Sequence, residues 1–249
     1  MGPRYGRLYA SAVLRPLAEQ VTDALGVGRG QTACDLLCDS GSMGVALGTA
    51  VGREGHVMLV DSDAALLRAA AHEVSATGCA VSTRVAHAAA PDGHRYDRVA
   101  SLCTFGFWEG ASLLDVAYGL TRPGGRAAVL TWDAASLPAH EVALADALRV
   151  VAGFQSPFVT RCLAGPDAAQ ALRWEPVTLH DVVRFDGINA YWAAMVLERP
   201  VAREFEHQPG DSAQAMRAAC LRSLQPWTAP DGTMRIPVRA TLWCSPPGG

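Results

Sequence analysis

The 249-residue chain contains no lysine, so all 21 residues counted as Lys plus Arg are arginine. That absence excludes Schiff-base catalysis and the lysine of a phosphate-cradling loop. With the abundance of Ala and Gly it reads as GC-rich coding bias rather than as chemistry. A basic excess is missing too, since 21 Arg face 24 Asp plus Glu for a net charge of -3. Arg4 and Arg7 stand among apolar residues and form no stripe, so no nucleic-acid partner is expected. Gly, Arg or Asp breaks every apolar run before the roughly 18 residues that a membrane span requires, so no membrane partner is expected either. The seven Cys (34, 38, 79, 103, 162, 220 and 244) include no C-x-x-C pair. No charged segment followed by an apolar one opens the chain, which points to reduced, buried thiols in a cytoplasmic protein. His140-Glu141 lacks the second His of a zinc helix, and the other His are scattered, so no metal is expected.

What is present is a chain 50% hydrophobic and 18% charged, the balance of one globular unit with a large core. Residues 8–25 place Leu14, Leu17, Val21 and Leu25 at helical steps, and Gly26, Gly28 and Gly30 end that helix. Ala33 to Leu37 reads as a strand running into the small-residue turn Cys38-Asp39-Ser40-Gly41-Ser42, with a helix over Met43 to Val51. A second strand, His56 to Val60, ends at Asp61, and Ser62 or Asp63 can cap the helix Ala64–Val74. Strands follow at 79–85, Asp97–Cys103 and Arg126–Trp132, with a helix over 111–120 and a turn at Arg122-Pro123-Gly124-Gly125. Beyond Asp133 come a helix near 138–152, a loop with Gly153, Pro157, Gly165 and Pro166, and a strand around Val177–Phe185. Helices at about 188–197 and 211–224 precede a last alternating strand, Met234–Cys244, with Pro237 near an edge. Strands alternating with helices predict an α/β fold with a mostly parallel sheet covered on both faces.

Ligands of such sheets bind beyond the carboxyl ends of the strands, here Leu37–Gly41, Asp61, Cys103–Trp108 and Trp132-Asp133. Asp61, twenty residues after Gly41, stands where a carboxylate can accept two ribose hydroxyls. Phe105, Phe107, Trp108 and Trp132 offer an apolar wall for a planar small molecule. His180 and Cys103 are the weak candidates for chemistry. His180 and Asp181, as strand neighbours, point to opposite faces and cannot share one proton, and Cys103 has no positioned base.

The ordered pieces resemble a class I S-adenosylmethionine-dependent methyltransferase of the ubiquinone/menaquinone-biosynthesis-like group. They are Tyr5-Gly6-Arg7-Leu8, the loop Asp35 to Gly41, Asp61, Tyr96-Asp97-Arg98-Val99, Leu120 to Arg126, His180 to Phe185 and Asp231 to Val238. The resemblance implies a Rossmann-like, mostly parallel seven-stranded sheet with an antiparallel last strand, in a single domain over 1–249. Within it, 1–30 form an amino-terminal helical lid, 31–135 the cofactor half, and 136–249 the substrate half with a helical insertion at 187–228. It assigns S-adenosylmethionine to Asp35, Leu37, Asp39, Gly41, Asp61 and His87, and the substrate pocket to Tyr5, Tyr9, Phe105, Phe107, Trp108 and Trp132. A homodimer is compatible with it.

Two departures stand out. The family loop D/E-x-G-x-G-x-G here carries Leu37, Asp39 and Gly41 at its glycine positions. The added Cβ atoms disfavour positive φ, and a second carboxylate about 4 Å from the cofactor's own would oppose it by roughly 4 kcal/mol, whereas facing the cofactor's ammonium or sulfonium would reverse that sign. After the third strand, where the family has an acid for the adenine amino group, stand Ala86 and His87. Three functions are therefore weighed: methyl transfer to a small molecule of bacterial secondary metabolism, a non-methylating cyclase or dehydratase on the same fold, and a non-catalytic ligand-binding or partner protein.

Overall fold

A computed structural model describes residues 6–86, 93–103, 105–107, 112–167, 171, 173–205 and 210–247. Seven strands form one sheet: β1 (Thr32–Leu36), β2 (His56–Asp61), β3 (Ala80–Val85), β4 (Tyr96–Leu102), β5 (Thr121–Trp132), β6 (Glu175–Phe185) and β7 (Met234–Cys244). Their order is β3-β2-β1-β4-β5-β7-β6. The first five run parallel, and β7 lies antiparallel to both β5 and β6. This is the Rossmann-like arrangement the resemblance implied, with the strand order reversing between β1 and β4.

Alternation along each strand builds two cores. Ala100 and Leu102 of β4 and Ala128, Leu130 and Trp132 of β5 face the larger one, which also takes the amino-terminal helix. Val99, Ala127 and Val129 face the smaller, covered by Leu113, Leu114 and Ala117 of the helix Leu113–Gly119. The amino-terminal helix is α-helical over Arg7–Tyr9, π-wound over Ala10–Leu14 and α-helical again over Arg15–Leu25. Leu14, Leu17, Val21 and Leu25 are all buried, as their spacing required, and Gly26 ends the helix at φ 60°. Leu8 N–H donates to Glu198 Oε2 at 2.8 Å, anchoring the first turn.

Two expectations change. The turn Arg122–Gly125 lies within β5, because pairing with β4 jumps from Tyr96–Thr121 to Arg98–Arg126 and the residues between form a bulge. Arg122 in that bulge is paired with Asp97. The loop expected around Pro157 contains a helix, Pro157–Cys162. Proline at its first position needs no N–H partner, and the Ser156 side chain caps it by accepting from Val159 N–H.

Candidate active site

The loop after β1 keeps a glycine-type backbone with two of its three glycines replaced. Leu37 has φ 57° and Asp39 φ 44°, with Gly41 at φ 80°. Left-handed residues with a Cβ cost on the order of 1–2 kcal/mol each. Burial and two hydrogen bonds offset that cost. Leu37, Cys38 and Asp39 are all buried. Cys38 N–H donates to Val60 O at 3.0 Å, and Asp39 N–H donates to Asp61 Oδ2 at 3.2 Å. Cys103, at the end of β4, is the remaining non-glycine residue with positive φ, at 50°. Among the described residues all such strain therefore sits at the ends of β1 and β4, on either side of the reversal where α/β sheets bind ligands.

Asp35 and Asp61 hold the loop from below and beside. Asp35 Oδ2 accepts Gly44 N–H at 2.8 Å, locking the helix Ser42–Val51 onto β1. Any Cβ on Gly44 would come within 2.7 Å of Leu59 Cδ2. Asp61, fully buried at the end of β2, accepts Asp39 N–H on one oxygen and Asp63 N–H, at 3.1 Å, on the other. Asp63, rather than Ser62, caps the next helix, accepting from Ala65 and Leu66 N–H.

A second constellation gathers under the ends of β4 and β5. Glu141 and Arg199 form an ion pair with no exposed side-chain surface, Arg199 Nη2 reaching Glu141 Oε1 at 3.0 Å and Oε2 at 3.2 Å. Tyr9 donates its hydroxyl to Glu141 Oε1 at 2.8 Å, and the Arg199 guanidinium stacks 4.6 Å from the Tyr9 ring centroid and 5.0 Å from that of Phe158. Burial, then the Glu141 charge, raises the Tyr9 phenol well above its ordinary value, so it stays a donor. Next to it lies His140, its ring 5.6 Å from Trp132 and edge-on, 6.1 Å from Tyr9 and 6.4 Å from Phe185. Burial pushes its imidazole down to about 4, Glu141 raising it and Arg199 lowering it. It is neutral at pH 7.

The residues assigned from sequence divide in space. Asp35, Leu37, Asp39, Gly41 and Asp61 share the loop region, while Tyr9 and Trp132 share the buried constellation. Phe107 packs on Phe158 at 5.6 Å, beside Arg199. Cys103 is buried, and its thiol is raised by that burial and then by Cys162 and Glu141, which leaves it a poor nucleophile. His180 stands apart, with Arg184, Arg239, Trp227 and Leu137, along a cleft of about 1090 Å³ at the β6–β7 edge. Asp181 accepts instead from Gln20 Nε2 at 3.0 Å. Tyr5, His87 and Trp108, and the side chain of Phe105, lie outside the described residues. Sequence reading missed Glu141, Arg199 and the role of His140. The one available signal was two adjacent polar residues, His140-Glu141, in the first turn of a largely apolar helix.

The profile of the ubiE/COQ5 methyltransferase family matches residues 14–164, well over half of the chain. The chain belongs to that family. Three solved methyltransferase structures show the shared fold. A putative type II methyltransferase from Anaeromyxobacter dehalogenans is 18% identical with TM-score 0.55, covering 98% of this chain and 97% of its own. A putative methyltransferase from Bacillus halodurans C-125 is 12% identical with TM-score 0.55, covering 91% and 96%. Coclaurine N-methyltransferase, solved with N-methylheliamine and SAH, is 13% identical with TM-score 0.52, covering 92% and 72%. No curated protein matches in sequence.

Membership makes this ubiE/COQ5-family chain a S-adenosylmethionine-dependent methyltransferase by class, and its loop fits that cofactor in two respects. The backbone keeps its left-handed turns where the family uses glycine, and a strand-end carboxylate, Asp61, lies beside them. Among the described residues no helix is long and apolar enough to cross a membrane, and no group of three or more His, Cys, Asp or Glu is placed to hold a metal.

Proposed function

We propose that the protein methylates a small, largely apolar acceptor of bacterial secondary metabolism, using S-adenosylmethionine held by the loop after β1. The observation that carries the reading is the left-handed backbone at Leu37 and Asp39, retained against its steric cost. A loop released from cofactor binding has no reason to keep two such residues buried and strained. Asp61 would take the ribose hydroxyls, sharing its carboxylate with the Asp39 and Asp63 N–H groups, and Gly41 would give the close approach at the start of the helix Ser42–Val51.

When bound, S-adenosylmethionine supplies an electrophilic methyl group for in-line displacement. The chain's own contribution is then positioning and exclusion of water. Tyr9, Phe107, Phe158 and Trp132 form aromatic walls, and the Glu141–Arg199 pair fixes the amino-terminal helix over them. The natural-product setting is supported by these aromatic walls.

The second reading, a non-methylating cyclase or dehydratase on the same fold, draws on Asp39, a buried acid where the family has glycine. Calorimetric titration with S-adenosylhomocysteine separates the two. Micromolar binding, abolished by Asp61→Ala, is the expected result; absence of binding up to millimolar concentration transfers the case to the second reading.

A further inference from the structure

The imidazole of His140 is fully buried, yet neither of its ring nitrogens has a hydrogen-bond partner. The same is true of the indole N–H of Trp132, 2% exposed, whose ring meets that of His140 edge-on at 5.6 Å. Each orphaned polar atom in a core costs about 1–3 kcal/mol, so three of them on two touching rings call for a cause. The neighbours offer no remedy. The Tyr9 hydroxyl is directed to Glu141, and the Tyr191 hydroxyl donates to His140's own carbonyl at 2.7 Å. Phe185 presents only a ring.

We propose that His140 and Trp132 together bind a hydroxyl group of the methyl acceptor, and so select hydroxyl-bearing substrates. The chemistry of the pair dictates the ligand. An indole N–H only donates, and a neutral imidazole offers one acceptor nitrogen and one donor. A hydroxyl satisfies two of these at once, its oxygen accepting from Trp132 Nε1 and its hydrogen going to the acceptor nitrogen of His140. The two rings touch, their centroids 5.6 Å apart and their planes at 82°, so one ligand group can meet both. Trp132 stands at the carboxyl end of β5, and His140 in the first turn of the helix Ala139–Ala147, so the pair lies at the ligand-binding end of the sheet. The surrounding Tyr9 and Phe185 rings suit a flat, apolar body behind the hydroxyl. Tyr9, on the amino-terminal helix, packs against the His140 ring, so entry requires that helix to lift, breaking its bonds to Glu141 and Glu198.

This inference rests on the methyl-transfer reading for its acceptor, and the test keeps the two apart. Binding of 2-naphthol and of 2-methylnaphthalene, which has the same shape without the hydroxyl, is measured on the wild-type protein and on His140→Leu. Both proteins are also titrated with S-adenosylhomocysteine. The expected result is a preference of about tenfold or more for naphthol in the wild type, lost in His140→Leu with S-adenosylhomocysteine affinity unchanged. His140→Leu should also melt at a higher temperature, because an orphaned imidazole has been replaced by an apolar side chain of similar size, whereas a His that served only the fold would leave the variant less stable. Nitrogen-15 histidine NMR on the wild type gives a reading that needs no variant: naphthol shifts the His140 ring nitrogens and methylnaphthalene does not.

Equal binding of the two probes, a preference that survives His140→Leu, or unmoved His140 resonances overturns the proposal. If S-adenosylhomocysteine fails to bind while the naphthol preference stands, the methyl-transfer reading falls and the hydroxyl site remains; the converse result removes the hydroxyl site alone.

Discussion

Tyr9 and Glu141, 132 residues apart in the chain, meet through a buried hydrogen bond of 2.8 Å from phenol to carboxylate. The same carboxylate carries Arg199, so one acid fastens the amino-terminal helix and the carboxyl-terminal third to the helix Ala139–Ala147.

Removing one member of the ion pair leaves the other charged in a dry site. Arg199→Met is therefore expected to cost about 3–5 kcal/mol in urea unfolding. The double variant Glu141→Gln/Arg199→Met should lose clearly less than the sum of the two single changes. Strict additivity would mean that the pair is not coupled.

Tyr9→Phe keeps the ring beneath Arg199 and removes only the hydrogen bond. It should cost about 1.5–3 kcal/mol, the range for a bond to a charged partner. Hydrogen exchange should accelerate at residues 10–14, where the π-wound turns already depart from regular helix.

The neutral imidazole of His140 makes stability depend on pH. It titrates at about 4 in the fold against an ordinary 6.5, so between those values the unfolded chain binds more protons and stability rises with pH. That contribution is complete above pH 6.5 and is lost as pH falls towards 4, a change on the order of 3 kcal/mol. In His140→Leu the melting temperature should vary less across this window, and an unaltered profile would place the effect on another group.

Asp39→Asn separates charge from backbone at the cofactor loop. Asparagine tolerates the left-handed conformation seen at φ 44°, so the turn should persist while the carboxylate disappears. Affinity for S-adenosylhomocysteine should rise by about tenfold or more if Asp39 faces the cofactor's carboxylate. A fall would place Asp39 against its ammonium group instead.

Legibility in the sequence followed the range of the interactions. β1, β2, β4 and the regular part of β5 were readable because each is a short apolar run ending in polar or small residues. Asp61 was readable because its place at a strand end is set by local order. The loop backbone was not: side chains at positions 37 and 39 argue locally against positive φ, and contacts from β2 and Asp61 override that preference. The Glu141–Arg199 pair escaped because its members are 58 residues apart. Arg199, between Glu198 and Pro200, looks like part of an exposed turn until the chain closes over it.

The placement of β7 also sets the order in which the molecule can be completed. β6 is held in the sheet through β7, which is hydrogen-bonded to β5 on its other side, yet β7 is the last of these seven strands to be synthesised. The β3-β2-β1-β4-β5 half can assemble on a nascent chain, whereas β6, some fifty residues earlier in the sequence than its ladder partner β7, must wait. A chain cut short before residue 234 would thus lose two strands at once and leave the apolar face of Leu179, Val183 and Phe185 without its neighbours, so truncation at this end exposes a sticky intermediate instead of a smaller enzyme.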